Sequence, residues 1–152
     1  MKLNTDVAKL SENEWSIGVV LRSHQGRLFM VAIKTILAPD DVAVAEALGV
    51  RWGLQLAKQC SIYKLEAETD CAVVANYFTN VSTFDLSIVN DIMSDCQQLG
   101  ASFDSFSFKH IYRECNQVAH CVAKHLHPFS PCVWFEDFPI SVLHLANSDV
   151  SC

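Results

Sequence analysis

The sequence predicts an α/β fold in which a mixed β-sheet carries helices on both faces. Two early runs rich in β-branched and aromatic residues flank a short turn, which is typical of an antiparallel hairpin. After residue 42, helical and strand patterns alternate, which is typical of strand–helix–strand units with parallel strands. The 152 residues are 51% hydrophobic and 18% charged, a composition that supports one packed domain and excludes a disordered chain.

The first three strands form the antiparallel half of the expected sheet. Residues 2–8, KLNTDVA, are short and extended, with Asp6 near the end of the strand. Residues 15–23 and 26–36 follow as the two strands of the hairpin. Their connection, SHQG, ends in Gly26, which is placed to adopt a positive φ.

The later elements form the parallel half. Residues 42–60 have the pattern of a helix of about five turns, and Asp40 or Asp41 can cap its start. The remaining elements are expected, in chain order, as a strand over 64–70, a short helix over 71–80, a helix over 85–100, a strand over 102–113 and a helix over 113–127. The order β-β-β-α-β-α-α-β-α therefore predicts five strands, three antiparallel and then two parallel.

Residues 1–127 are predicted to form one domain, and residues 128–152 a Pro-punctuated apolar tail packed loosely on it. No secretory signal and no apolar run of membrane length is visible. We therefore expect an intracellular protein of the nucleus or cytoplasm that does not bind membranes and is a monomer. The seven cysteines are then expected to be mostly free thiols.

The net charge of −6 argues against a protein that holds nucleic acid by bulk electrostatics, because phosphate binding requires clustered Lys and Arg. It does not exclude an enzyme that meets a phosphate backbone with bound cations. In such an enzyme, a cluster of acidic residues would be the site itself.

Three carboxylates stand out by position. Asp6 and Asp70 fall at strand ends, and Glu46 lies inside the long helix, on the same face as Gly49 and Gly53. A glycine inside a helix costs about 1 kcal/mol relative to alanine, and close approach to the sheet is a physical reason to accept that cost. Glu46 is therefore expected to point at the strand ends. Carboxylates gathered there would form a site for a hard divalent cation such as Mg²⁺.

Each acidic residue also has a simpler interpretation. Asp70 could cap the helix that follows it, Asp6 could belong to a strand-end turn, and Glu66 and Glu68 could lie on a solvated strand face. The acidic residues would then be scattered surface charge. His120, on the polar face of the last helix, is by itself typical of a solvated surface histidine.

Five short motifs occur in a fixed order over nearly the whole chain. They are K-x-N-x-D at Lys2–Asp6, A-E-A at Ala45–Ala47 followed by R-x-G-L, E-T-D at Glu68–Asp70, F-x-H-x-x-R-E-x-N-x-x-A-H-x-x-A-K at Phe108–Lys124, and W-x-x-D-x-P at Trp134, Asp137 and Pro139. With these motifs the chain resembles type 1 ribonuclease H domains. It looks closest to the reverse-transcriptase-like branch that is abundant in plant genomes and related to retrotransposon polyproteins.

The resemblance implies a ribonuclease H-like fold and metal-dependent hydrolysis of the RNA strand of RNA–DNA hybrids. It also implies a two-metal site for Mg²⁺ or Mn²⁺. Carried over by position, the metal ligands are Asp6, Glu46 and Asp70, and the fourth acidic position of the family falls on His120. On the last helix, Arg113, Asn116 and Lys124 would contact the phosphate backbone of the nucleic acid.

Two positions depart from the family pattern. Val7 stands where a small residue is common, and His120 replaces a carboxylate with a poorer Mg²⁺ ligand. Weakened metal binding is therefore expected. The alternative is a catalytically weakened module that binds nucleic acid or protein. In that alternative, the tail aromatics Trp134, Phe135 and Phe138 either dock a partner or pack in the core of the tail.

Overall fold

The computed structural model describes residues 1–79, 87–126 and 131–148. Its strands are β1 (Lys2–Ser11), β2 (Glu14–Arg22), β3 (Leu28–Leu37), β4 (Lys64–Thr69), β5 (Ser105–His110) and β6 (Cys132–Trp134). Its helices are α1 (Val42–Gln59), α2 (Ala72–Thr79), α3 (Ile88–Ala101), α4 (Gln117–His125) and α5 (Ile140–Ser148), with a 3₁₀ turn at Arg113–Asn116.

The strands form one mixed sheet in the order β5-β4-β1-β2-β3-β6. Strands β1, β2 and β3 pair antiparallel, whereas β4 and β5 run parallel to β1. The predicted three antiparallel and two parallel strands are therefore confirmed. The sheet has six strands rather than five because Cys132–Trp134 pairs antiparallel with β3.

Helices cover both faces of the sheet, as predicted. Helices α1 and α3 bury one face, with Leu3, Ile17 and Leu54 among the large side chains of that core. On the opposite face, α4 and α5 pack on β2 and β3 through residues that include Val20, Val31, Val122 and Val142. Each large apolar side chain buried in this way contributes about 1.5–3 kcal/mol to stability.

The tail packs more closely than the sequence indicated. Residues 131–148 add β6 to the sheet and place α5 against α4. Trp134 and Phe138 pack against the core on that face, which agrees with the core-packing alternative, whereas Phe135 is 53% exposed and contacts Phe29 edge to face. The boundary predicted after residue 127 lies outside the described residues.

Several element ends differ from prediction. The first strand does not end near Asp6 but continues to Ser11, because its antiparallel partner β2 continues beside it. The helix predicted over 113–127 begins as the 3₁₀ turn and becomes α-helical only at Gln117. Residues 80, 85, 86 and 127, which the predicted helices included, lie outside the described residues.

Two local predictions are confirmed by the geometry. Gly26 has a φ of 82° in the connection between β2 and β3. Asp41 caps α1, because its side chain accepts hydrogen bonds from the backbone N–H groups of Ala43 and Val44 at 2.8 and 3.3 Å. Within the described residues, none of the helices has the length and apolarity needed to span a membrane.

Most cysteines whose state the structure describes are thiols, as expected. Cys60, Cys71, Cys96 and Cys121 are unbridged. Cys115 is the exception, since it is disulfide-bonded.

Candidate metal centre

The two aspartates reach one place because β4 ends where β1 continues. The parallel pairing of β1 with β4 stops at Asn4 opposite Glu68. Side chains alternate between the two faces of a sheet. Asp6 therefore lies on the same face as Asn4, and Asp70, just after β4, lies on the same face as Glu68. Both carboxylates therefore lie at the point where the two strands separate.

Helix α1 brings the third carboxylate, that of Glu46, to the same point. One oxygen each of Asp6, Glu46 and Asp70 lies within 4.8 Å of the others. Asp6 and Glu46 are each 5% exposed, and Asp70 is half-buried. Because the three predicted ligands converge, the interpretation of these residues as scattered surface charge is wrong.

Packing of α1 on the sheet sets the position of Glu46. A Cβ added at Gly53 would lie 2.9 Å from Leu3 Cδ1 and 3.0 Å from Thr5 Cγ2, so these side chains would have to shift to admit it. At Gly49 the nearest atoms, on Ile17 and Val7, would be 3.4 and 3.6 Å away, which is ordinary contact. The predicted close approach to the backbone of the sheet is not found: α1 meets side chains of β1 at Gly53 and makes only ordinary contacts at Gly49.

The cluster is electrostatically unfavourable as it stands. Burial, followed by the charges of Asp6 and Asp70, raises the pKa of Glu46 well above its ordinary value. The pKa of Asp6 is also raised, mainly by burial and with a further contribution from Asp70, against a lowering by its hydrogen bond to His120. Glu46 Oε2 is buried and has no hydrogen-bond partner among the described residues.

These features fit a divalent cation. Three carboxylates near one another repel, and a buried carboxylate oxygen without a partner is destabilising. A hard cation would relieve both effects, because Mg²⁺ and Mn²⁺ prefer oxygen ligands. The donor set is therefore suited to a metal.

His120 reaches the cluster through Asp6. Its Nδ1 lies 2.6 Å from Asp6 Oδ2, at hydrogen-bond distance. The side chain is 21% exposed, so it is neither fully solvated nor a member of the three-carboxylate group. The predicted fourth position of the site thus contacts Asp6, a predicted metal ligand, directly.

Asn116 lies inside the protein, unlike a residue that contacts a phosphate from the helix surface. It is 2% exposed. Its Nδ2 donates to Asp70 Oδ1 at 2.8 Å and to the backbone carbonyl of Thr5 at 2.9 Å. Asn116 therefore orients Asp70 against β1.

The two basic residues predicted to contact the phosphate backbone, Arg113 and Lys124, are exposed. Arg113 lines the same cleft as the three carboxylates, and its charge opposes the rise in the pKa of Glu46. Lys124 lies on the exposed surface of α4, without a described contact to the carboxylates. The cleft has a volume of about 490 Å³, and Val7, Lys9 and Cys71 are also part of its wall.

The sequence reading missed Gly18, which allows α4 to approach the sheet. Gly18 pairs with Asp6 across β1 and β2. A Cβ there would lie 2.6 Å from the backbone nitrogen of Ala123 and 2.7 Å from the carbonyl oxygen of Ala119. A glycine inside a strand was the available signal, but only the structure shows that α4 packs there.

The chain matches the family model described as reverse transcriptase-like over residues 4–126. A search of curated proteins gives no significant match. Among solved structures, RNase H1 from the halophilic archaeon Halobacterium salinarum NRC-1 superposes with a TM-score of 0.73 at 20% identity, covering 80% of this chain and 92% of that one.

Two further structures agree. The N-terminal RNase H domain of Rv2228c from Mycobacterium tuberculosis has a TM-score of 0.71 at 14% identity, covering 99% of this chain and 97% of that one. LC11-RNase H1, solved in complex with an RNA/DNA hybrid, has a TM-score of 0.70 at 16% identity, covering 80% and 91%. At these identities the likeness establishes a ribonuclease H-like fold.

Proposed function

We propose that this chain, which belongs to the reverse transcriptase-like family, hydrolyses the RNA strand of RNA–DNA hybrids with the help of divalent cations. The observation that carries the proposal is the convergence of Asp6, Glu46 and Asp70 within 4.8 Å at the end of β4. The ribonuclease H-like fold and the hybrid bound by LC11-RNase H1 support the choice of substrate.

The three carboxylates would hold the cations, Mg²⁺ or Mn²⁺. When bound, such ions supply a water-derived nucleophile at neutral pH and neutralise charge on the phosphate and on the leaving oxygen. Burial, and after it the charges of neighbouring carboxylates, raise the pKa of Glu46 and of Asp6, and the positive charge of the ions would oppose both effects. Loading with metal is therefore expected to keep both carboxyl groups ionised.

The surrounding residues position these carboxylates. Asn116 fixes one oxygen of Asp70 through its amide, and His120 fixes one oxygen of Asp6. Asp6 and Asp70 each keep a second carboxylate oxygen that can bind a cation. Arg113, exposed at the same cleft, supplies a positive charge for the phosphate backbone of the hybrid.

A hybrid duplex with a labelled RNA strand tests the function. The wild-type chain should cleave the RNA strand in Mg²⁺ or Mn²⁺, and Asp70→Asn should reduce the rate at least 100-fold, on the order of the loss of an essential metal ligand. Asp95→Asn is the matched control, because Asp95 is an exposed carboxylate on α3 that pairs with Arg51 instead. Equal rates for the wild type and Asp70→Asn would contradict the proposal.

A second candidate function is binding of the hybrid without cleavage. The observation that favours it is His120, whose imidazole contacts Asp6 in place of a further carboxylate, so that the site carries one negative charge fewer. A wild-type chain that retains labelled hybrid in a mobility-shift assay, yet leaves the RNA intact in both metals, would establish this alternative.

A further inference from the structure

Next to the three carboxylates, β1 and β4 carry facing polar residues in consecutive cross-strand pairs. These residues share one face of the sheet: Lys2, Asn4 and Asp6 on β1, and Glu66, Glu68 and Asp70 on and just after β4. Lys2 lies opposite Glu66 and Asn4 opposite Glu68 in the parallel register. The same spacing places Asp6 level with Asp70, just beyond the last pair.

The middle pair is buried and tied to a third strand. Asn4 Nδ2 donates to Glu68 Oε2 at 2.9 Å, and Arg22 Nε on β2 donates to Asn4 Oδ1 at 3.0 Å. Lys2 Nζ lies 3.0 Å from Glu68 Oε1, and Arg22 Nη2 lies 3.8 Å from Glu68 Oε2. Asn4, Arg22 and Glu68 are between 2% and 5% exposed.

The first two pairs attract and the third repels. The amide of Asn4 faces the carboxylate of Glu68 and the ammonium of Lys2 faces that of Glu66, whereas Asp6 and Asp70 carry like charges that repel each other. Since β4 no longer pairs with β1 beyond Asn4, backbone hydrogen bonds between these two strands do not hold the third pair together. Asn116 joins Asp70 to Thr5 of β1 from the 3₁₀ turn, and the buried Asn4–Glu68 pair is the contact made by the two strands' own side chains just before the aspartates.

We propose that Asn4 and Glu68 are positioning residues whose buried contact fixes the alignment of β1 with β4 and thereby sets the separation of Asp6 and Asp70 for cation binding. The inference rests on the proposed function only in that the aspartates bind a divalent cation. It assigns to the asparagine of K-x-N-x-D and to the glutamate of E-T-D a task that the cation ligands themselves do not perform.

The test is Mn²⁺ affinity, measured by the loss of the free-ion electron paramagnetic resonance signal. Asn4→Asp places a carboxylate against Glu68 and should weaken Mn²⁺ binding about 10-fold or more, the effect expected when a group that positions metal ligands is lost. The double variant Asn4→Asp/Glu68→Gln restores a donor and an acceptor at this pair with unchanged net charge. It should recover affinity to within about 3-fold of the wild type.

Two further variants sharpen the result. Glu66→Gln removes a charge from the more exposed ion pair of Glu66 with Lys109. It should leave the Mn²⁺ affinity within about 2-fold of the wild type, because Glu66 lies two residues further along β4 from the aspartates than Glu68 does. Asn4→Ala removes both the hydrogen bond to Glu68 and the one from Arg22 without adding a charge, and it replaces Asn4→Asp if that chain does not fold.

The outcomes separate this inference from the proposed function. Unchanged affinity in Asn4→Asp or Asn4→Ala, or no recovery in the double variant, overturns the positioning role. A wild type that binds Mn²⁺ but does not cleave hybrid contradicts the proposed function. In that case the Mn²⁺ affinities of the variants alone decide the positioning role. A wild type that binds no Mn²⁺ overturns both.

Discussion

Replacing Gly18 by alanine should displace α4 from the sheet and thereby disturb the carboxylate site. The added methyl would lie 2.6 Å from Ala123 N and 2.7 Å from Ala119 O. Ordinary contact begins near 3.4 Å, so the helix would have to move by about 0.8 Å, the difference between 3.4 and 2.6 Å. These are backbone atoms within the helix and cannot give way by changing a rotamer.

The magnitude follows from two contributions. Overpacking of this kind costs about 1–3 kcal/mol. A shift of α4 would also lengthen the 2.6 Å contact between His120 and Asp6, whose loss adds about 1 kcal/mol. The free energy of unfolding of Gly18→Ala should therefore fall by about 2–4 kcal/mol.

Urea denaturation followed by circular dichroism measures the effect. Gly49→Ala is the matched control, because its added methyl meets only ordinary contacts and alanine is favoured over glycine in a helix by up to about 1 kcal/mol. The two glycine substitutions should thus change stability in opposite directions. A Gly18→Ala chain within about 0.5 kcal/mol of the wild type would refute the packing argument.

Three further substitutions test the site. Burial raises the pKa of Glu46 and of Asp6, so the folded metal-free chain binds more protons than the unfolded chain. Its free energy of unfolding is therefore full below the ordinary pKa values of 4.5 and 3.8, and it falls as the pH rises through the raised pKa values of the folded chain. Glu46→Gln should flatten this fall in pH-dependent urea melts and stabilise the metal-free chain at pH 7 by about 1–3 kcal/mol; an unchanged pH slope would contradict it. Asn116→Ala should cost about 2–3 kcal/mol through two lost buried hydrogen bonds and weaken Mn²⁺ binding in a titration, and an unaltered affinity would show that Asp70 needs no such support. His120→Asp should cleave hybrid faster in Mg²⁺ while melting at a lower temperature without metal, because it adds a fourth carboxylate beside Asp6; a slower rate would mean that the histidine has a role of its own.

The sequence predicted the order of the elements well because local patterns determine them. Two runs of β-branched and aromatic residues around a short turn marked the hairpin, and Asp41 and Gly26 occupy the cap and turn expected of them. The short strand β6 was missed, since three residues of the tail are too few to show a period and acquire their structure by pairing with β3.

The candidate site was predictable in its members and not in its supports. Asp6, Glu46 and Asp70 stood out by residue type and position, and the structure brings them together. The contact of Asn116 with Thr5 joins residues 111 positions apart, and no local pattern encodes such a contact. For the same reason, the sequence allowed Glu68 to lie on a solvated strand face, and only the register of β1 with β4 shows its buried network with Asn4.

The most direct measurement of the central claim compares the two strands of one hybrid. Each strand is labelled in turn and incubated with the wild-type chain in Mn²⁺, with and without excess chelator. The account predicts fragments of the RNA strand only, with none when the chelator is present. An intact RNA strand, cleavage of both strands, or cleavage that persists with the chelator would contradict metal-dependent hydrolysis of the hybrid at Asp6, Glu46 and Asp70.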